Sequence, residues 1–341
     1  MALLGKSVVS RFLKWTASRA FQLRPLSLSP CRASAAQLDL GGVYPPMPTP
    51  FNQDETIAYD KLAFNVDLWS KIPFRGLVVE GSNGEYVYLT SEERVDLVKR
   101  VREFLPHDSG KLVLAGSGCE STRDTINMSQ KMADAGADAV MVVTPSYYKG
   151  AMKDKALHAH FTAVADNCPV PLILYSVPAF TVIDLSLDVI IDLAKHPNII
   201  GIKESGGDIL KEIDSAENWY GYFGMGDEID CDTSSGWHLS SVGCMGSRGV
   251  GGVCALANVL GEAVCQLHKL TVEGDIEAAV QLQKQLIAPN SAVTKTFGIS
   301  GLKKVMDWKG FYGGPTRAPL QSLPDQEVAK LHKVFVDSGY L

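Results

Sequence analysis

The chain has 341 residues, of which 46% are hydrophobic and 21% are charged. This composition predicts one large or two medium globular domains, and the absence of any run of 18 apolar residues excludes a membrane span. Six basic residues and no acidic residue precede Asp39, so the remainder holds 26 basic and 38 acidic residues, a formal charge of −12. Such an acidic body argues against nucleic-acid binding.

Residues 1–36 are predicted to be a mitochondrial transit peptide, which predicts a location in the matrix. The segment is rich in Arg, Ser, Leu and Ala, and Phe12, Trp15 and Phe21 can share the apolar side of a basic helix. A disordered basic tail is the alternative. A secretory signal is disfavoured because Lys and Arg interrupt the apolar stretches. The seven cysteines form no CxxC pair, which indicates reduced thiols.

Short apolar runs recur through the body of the chain, and each ends near Gly, Ser, Thr or Pro. Continuous apolarity without alternation is typical of strands that are buried on both faces. The runs occupy residues 42–46, 76–80, 112–115, 139–143, 171–175, 199–203, 220–223 and 252–255. They predict eight strands.

Helical patterns separate these runs. Thr90 and Glu93 form a predicted capping box before a helix over 91–105, and further helices are predicted over 121–135, 185–194 and 262–270. The alternation predicts an α/β fold, a (β/α)8 TIM barrel over 37–260. Residues 261–341 would supply the final barrel helix and a C-terminal helical extension. A doubly wound open sheet is the alternative, although no GxGxxG follows the first strand.

Polar side chains follow several of the predicted strands. In this fold the active site lies at the carboxyl ends of the strands. Lys203 ends one strand, Tyr175 ends another, and Ser82, Asn83 and Tyr147 follow two more. An amine that is shielded from water can lose its proton and attack a ketone, while a phenol and hydroxyl groups can carry protons. The set therefore indicates imine chemistry on a 2-oxo acid, although strand-end lysines are usually solvated and Gly-Ser-Asn-Gly also suits a plain turn.

Four segments carry a resemblance to a known family. Together they are similar to the dihydrodipicolinate synthase/N-acetylneuraminate lyase family of class I aldolases, and the likeness covers roughly residues 40–208 and 250–341. The segments are Gly81-Ser82-Asn83-Gly84-Glu85, Thr144-Pro145-Ser146-Tyr147-Tyr148, Tyr175-Ser176-Val177-Pro178 and Gly201-Ile202-Lys203-Glu204-Ser205-Gly206-Gly207-Asp208.

The resemblance implies a role for each of several residues. Lys203 would form the Schiff base, Tyr175 would donate and accept protons, and Tyr147 would join the proton relay across a tight dimer within a homotetramer. The substrate would be held by Ser82, Asn83, Ser205, Gly226 and Val253. The reaction implied is cleavage of 4-hydroxy-2-oxoglutarate to pyruvate and glyoxylate, with neither a metal ion nor a cofactor. Synthase-like or neuraminate-lyase-like activity on another 2-oxo acid is the alternative.

Two departures from the family pattern matter. The family's synthases carry an arginine shortly after the Tyr-x-x-Pro stretch, whereas this chain has Ala179-Phe180-Thr181 there, which argues against the synthase activity. Residues 209–249 lack the expected pattern and indicate either genuine divergence or a reading-frame slip, which transcript sequencing would distinguish. Genuine divergence leaves a catalytically silent barrel as an alternative. A metal-dependent aldolase is disfavoured because the seven histidines are dispersed.

Overall fold

The structure is a computed structural model that describes residues 38–206, the backbone of residues 222–224, and residues 250–341. The predicted transit peptide, Gly226 and most of segment 209–249 lie outside the described residues. Within the described ranges, no helix is long and apolar enough to cross a membrane.

Eight parallel strands make up one sheet in the described part of the chain. Each strand from β2 to β8 pairs with the next along the chain, and β8 pairs with β1. The strands are β1 (Gly42–Tyr44), β2 (Gly76–Val79), β3 (Leu112–Gly116), β4 (Ala139–Val143), β5 (Leu172–Ser176), β6 (Ile199–Glu204), β7 (Tyr222–Gly224) and β8 (Gly251–Val253).

The sheet closes between β1 and β2. Just after β1, Pro46 bridges to Val78, and the Met47 N–H donates to the Val78 carbonyl at 3.0 Å. The Val78 N–H in turn donates to the Pro45 carbonyl at 3.1 Å. The predicted barrel is therefore confirmed and the open-sheet alternative is wrong, because neither end strand of the sheet is left unpaired.

Helices lie outside the strands of the barrel, and their apolar sides pack against it. α1 (Tyr59–Ser70), α2 (Ser91–Phe104), α3 (Thr122–Asp134), α4 (Asp154–Asn167), α5 (Pro178–Thr181), α6 (Leu187–Leu193) and α7 (Ala257–Glu273) follow in chain order. The capping box is present: the Glu93 N–H donates to Thr90 Oγ1 at 3.2 Å, and the Thr90 N–H donates to the Glu93 carboxylate at 2.9 Å. The residues of α2 that face the barrel, among them Leu97, Val98 and Val101, are buried.

The C-terminal extension consists of α8 (Ile276–Ser291), a π-helical turn (Ala292–Thr296), α9 (Gly298–Trp308) and α10 (Asp325–Asp337). The predicted boundary at residue 260 falls inside α7, which begins at Ala257. Leu260 has non-helical backbone angles (φ −126°, ψ 42°), so the helix is kinked at the point where the apolar pattern suggested a new start.

Candidate active site

Lys203 and Tyr175 lie side by side at the carboxyl ends of β6 and β5. They are register partners in the sheet, and both side chains are buried, Lys203 being 1% exposed. The Lys203 Nζ lies 4.2 Å from the centroid of the Tyr175 ring. No carboxylate of the described residues forms an ion pair with this amine. The geometry places this amine, which is without a counter-ion in the described part of the chain, against a phenol.

Ser82 joins this pair from the loop that follows β2. Its Oγ lies 3.1 Å from the Tyr175 hydroxyl. The loop holds Ser82 because residues Ser82–Gly84 form a single 3₁₀ turn, in which the Gly84 N–H donates to the Gly81 carbonyl at 2.9 Å. The Tyr175 ring therefore lies against the amine, and its hydroxyl can exchange a proton with Ser82.

Three uncharged side chains near these strand ends have a buried polar atom that lacks a hydrogen-bond partner among the described residues and could bind a ligand. These atoms are Asn83 Nδ2, Thr144 Oγ1 and Ser205 Oγ. Thr144 and Ser205 are anchored through their backbones, since their N–H groups donate to the carbonyls of Tyr175 and Ser176 at 3.3 and 2.9 Å. An unsatisfied buried polar group costs about 1–3 kcal/mol, so a bound ligand is the expected partner. Hydroxyl and amide donors suit the oxygens of a carboxylate or a ketone.

Val253 and Tyr147, which were also predicted to belong to the site, differ in their exposure to solvent. Val253 is buried at the end of β8, next to Tyr44 in register. Tyr147 is 77% exposed: its N–H donates to the Glu120 carboxylate at 2.8 Å, and its ring packs edge-on against Tyr148. Tyr147 is thus not brought to Tyr175 within one chain.

Charged residues that the sequence analysis did not assign hold both ends of the Ser82 loop. Before it, the Arg94 Nε donates to the buried Glu80 carboxylate at 2.8 Å. Burial raises the pKa of Glu80 to about 8, and the guanidinium opposes that rise. After the loop, Glu85 pairs with Lys303 of α9. Glu80 and Glu85 both adopt left-handed backbone angles (φ 61° and 55°), an uncommon conformation for residues with a Cβ.

No group of three or more His, Cys, Asp or Glu side chains that could hold a metal ion occurs in the described ranges.

Some of the residues around the site could have been found from the sequence and others could not. Thr144 follows a predicted strand, and this position indicates that its hydroxyl could line the site. Nothing in the sequence pattern marked Arg94 or Lys303, because their partners lie far away in the chain.

The comparisons with known proteins agree with this geometry. A family model described as the dihydrodipicolinate synthetase family matches residues 39–337. The chain belongs to this family. Its members are pyruvate-dependent class I aldolases and lyases. The predicted resemblance is thereby confirmed.

Two curated relatives are similar to almost the whole chain. A 4-hydroxy-tetrahydrodipicolinate synthase from Archaeoglobus fulgidus is 32% identical over 86% of this chain and 96% of its own length. A probable mitochondrial 4-hydroxy-2-oxoglutarate aldolase from Emericella nidulans is 31% identical over 87% of this chain and 94% of its own length. Sequence identity therefore does not distinguish between the synthase activity and the aldolase activity.

Solved structures show the same fold. A dihydrodipicolinate synthase from Bacillus anthracis superposes with a TM-score of 0.80 and 27% identity, covering 88% of this chain and 98% of its own. A second synthase, from Acinetobacter baumannii and complexed with pyruvate, gives a TM-score of 0.80 and 25% identity, covering 89% of this chain and 100% of its own.

Proposed function

We propose that the protein is a class I aldolase that cleaves 4-hydroxy-2-oxoglutarate to pyruvate and glyoxylate. One observation carries the proposal: the buried Lys203 amine has no carboxylate partner among the described residues and lies 4.2 Å from the Tyr175 ring, whose hydroxyl is 3.1 Å from Ser82 Oγ. The nucleophile of imine chemistry is an uncharged amine, and the burial of Lys203 keeps its amine out of bulk water.

The chemistry begins when the uncharged Lys203 Nζ adds to the C2 ketone; the former carbonyl oxygen receives one proton from the nitrogen and one from the Tyr175–Ser82 pair and leaves as water, giving a protonated imine. The imine accepts the electron pair of the C3–C4 bond when that bond breaks. The 4-hydroxyl loses its proton to the Tyr175–Ser82 pair, and glyoxylate leaves. The enamine then takes a proton at C3, and water hydrolyses the imine to release pyruvate and the free amine. The hydrogen bond of 3.1 Å between Tyr175 and Ser82 is the path proposed for these protons.

The substrate carboxylate next to the ketone needs donors. Asn83 Nδ2, Ser205 Oγ and Thr144 Oγ1 are buried donors near the strand ends that lack partners among the described residues, and they are proposed to bind it. The buried Val253 is proposed to lie beside the C3 methylene group of the substrate. Gly226, which lies outside the described residues, is also proposed to contact the substrate.

The residues after β5 favour the aldolase over the synthase. The family's synthases place an arginine there, whereas α5 carries Phe180, which is 69% exposed. Val182 follows with a left-handed backbone (φ 57°), which is an unusual conformation for a β-branched residue. This segment lacks the guanidinium that the synthases use for their second substrate, which argues against the synthase reaction; the second carboxylate of 4-hydroxy-2-oxoglutarate is not bound by an arginine here either.

The assembly and location are part of the same proposal. A homotetramer built from tight dimers would let the exposed Tyr147 reach the relay of a second subunit. The basic segment 1–36 and the name of the Emericella relative support a mitochondrial matrix location. The only ligand proposed is a small 2-oxo acid, with neither nucleic acid nor membrane as a partner.

The test uses the purified full chain. Incubation with 4-hydroxy-2-oxoglutarate should yield pyruvate and glyoxylate in equal amounts, and pyruvate with borohydride should add a stable mass to Lys203. N-acetylneuraminate serves as the rival substrate. An adduct without cleavage of 4-hydroxy-2-oxoglutarate would assign the chain to another reaction of the family. A missing adduct would contradict the imine mechanism and favour a silent barrel.

A further inference from the structure

Glu85 and Lys303 form an ion pair that is buried from both sides. The Lys303 Nζ lies 2.5 Å from the Glu85 carboxylate, and each side chain is 1% exposed. The same ammonium donates to the Pro315 carbonyl at 2.8 Å and stands 4.6 Å from the Phe51 ring centroid. Burial lowers the pKa of Lys303, and the Glu85 charge opposes that change. The pair joins the C-terminal extension to the residue that ends the Ser82–Gly84 turn.

Arg317, which lies between α9 and α10, adds a second connection to the same loop. Its backbone N–H donates to the Glu85 carboxylate at 2.9 Å. Its guanidinium binds both oxygens of Glu93 at 2.7 and 2.8 Å and donates to the Tyr88 carbonyl at 2.9 Å. The extension therefore contacts the chain from Glu85 to Glu93 through charge-assisted hydrogen bonds, which are stronger than neutral ones.

The segment that follows β1 fills the space between the extension and the loop. Thr49 Oγ1 donates to the Gly84 carbonyl at 2.6 Å in a buried site. Phe51 lies beneath both cations, with the Arg317 guanidinium 4.5 Å from its ring centroid. An unbroken series of contacts leads from Lys303 through Glu85 and the 3₁₀ turn to Ser82, and from Ser82 to Tyr175.

We propose that the C-terminal extension positions Ser82 and Asn83 for the reaction, with Glu85, Lys303 and Arg317 as positioning residues. The inference rests on the proposed aldolase function. None of the three side chains touches the Lys203 amine; they act by fixing the turn that carries the hydroxyl and the amide. A shift of about 1 Å in such a group is enough to cost a large part of the rate. The extension is thus part of the active-site machinery as well as of the fold.

The main variant is Glu85→Gln, which keeps the size of the side chain and removes its charge. We expect kcat to fall about tenfold and the pyruvate concentration for half-maximal adduct formation to rise about tenfold, a change of about 1.4 kcal/mol in each. The adduct should still form at saturating pyruvate because Lys203 is untouched. The double variant Glu85→Gln/Lys303→Met leaves no unpaired buried charge, so it should fold while keeping the kinetic defect.

The matched control is Asp138→Asn, which makes the same carboxylate-to-amide change in another buried pair. Asp138 binds Arg102 and the Val113 N–H at the amino-terminal ends of the strands, away from the site. We expect Asp138→Asn to lower stability while the folded protein keeps the parent kcat and pyruvate affinity. Parent kinetics in the folded Glu85 variants would overturn the proposal, since the pair would then only stabilise the fold.

A measurement on the unaltered protein covers variants that do not fold. Native-state hydrogen exchange should show that the Gly84 and Glu85 amides open with the same free energy as the amides of α9. Opening of the loop amides at a clearly lower free energy would overturn the positioning role. This measurement needs no substrate, so its outcome is separate from that of the cleavage assay, whose failure would contradict the proposed function alone.

Discussion

Two lysines of this protein are equally buried and have opposite surroundings. Lys203 and Lys303 are each 1% exposed. Lys303 has the Glu85 carboxylate at 2.5 Å and a backbone carbonyl at 2.8 Å, while Lys203 faces the Tyr175 ring and pairs with no carboxylate of the described residues. Lys303 is therefore held as a charge that joins two parts of the fold, and Lys203 is left available as a nucleophile.

The comparison teaches that burial alone does not make a lysine reactive. An ammonium loses its hydration on burial, and a nearby carboxylate restores much of that free energy. Lys303, which pairs with Glu85, is therefore structural, whereas Lys203, which pairs with no carboxylate of the described residues, is the proposed nucleophile. Four measurements test this distinction between the two lysines.

The largest effect is expected for Lys203→Arg. The guanidinium keeps most of the length but cannot deprotonate to act as a nucleophile, so kcat/KM should fall by about 10⁴-fold or more. The steady-state rate of cleavage and the mass of the borohydride-trapped protein measure it. Lys333→Arg, at an exposed pair with Asp337, is the control and should behave as the parent. Retention of a tenth of the parent activity would contradict the imine mechanism.

The next effect separates the two lysines by stability. Lys303→Met leaves Glu85 buried without its partner and should lower the free energy of unfolding by about 4 kcal/mol. Lys203→Met removes a buried amine that pairs with no carboxylate of the described ranges, and it should change the free energy of unfolding by less than about 1 kcal/mol, or increase it. Urea unfolding at pH 7 measures both. Equal losses in the two variants would show that the difference in surroundings has no energetic consequence.

His160 provides an independent measure of what burial does to a base. Burial lowers the pKa of this imidazole from 6.5 to about 4, and the nearby Glu120 charge opposes the change. The unfolded state therefore binds more protons between these values, and stability should fall by about 3 kcal/mol as the pH drops from 6.5 to 4. Unfolding free energies across this range should show a flatter slope for His160→Gln. An identical slope would mean that burial does not lower the pKa of His160.

The smallest of the four effects is expected for Tyr175→Phe. Loss of the hydroxyl removes the hydrogen bond to Ser82 and the proposed proton path, so kcat should fall by about 10²-fold. The pyruvate adduct at Lys203 should still form, because the amine and the ring remain in contact. Rapid-mixing assays of adduct formation and of cleavage separate the two steps. Parent turnover in this variant would remove Tyr175 from the proton path.

Strand ends were the least accurate part of the sequence prediction, and the reason is tertiary. The first strand was expected over 42–46 but ends at Tyr44, because Pro45 and Pro46 lack N–H groups and make only an isolated bridge to β2. The eighth was expected over 252–255 and lies at Gly251–Val253, where β1 and β7 provide its partners. Pairing partners from distant parts of the chain determine these limits.

The amino-acid sequence was enough to predict the barrel, the Thr90–Glu93 capping box and the proximity of Lys203 to Tyr175. These features are local: each depends on a run of apolar residues, a short spacing or a position at a strand end. The tertiary structure was needed to show that Glu85 pairs with Lys303, that Arg317 binds Glu93, and that the Tyr147 side chain is exposed. Ion pairs between distant segments leave no periodic signal in a sequence, because any exposed charge would give the same pattern until folding brings its partner beside it.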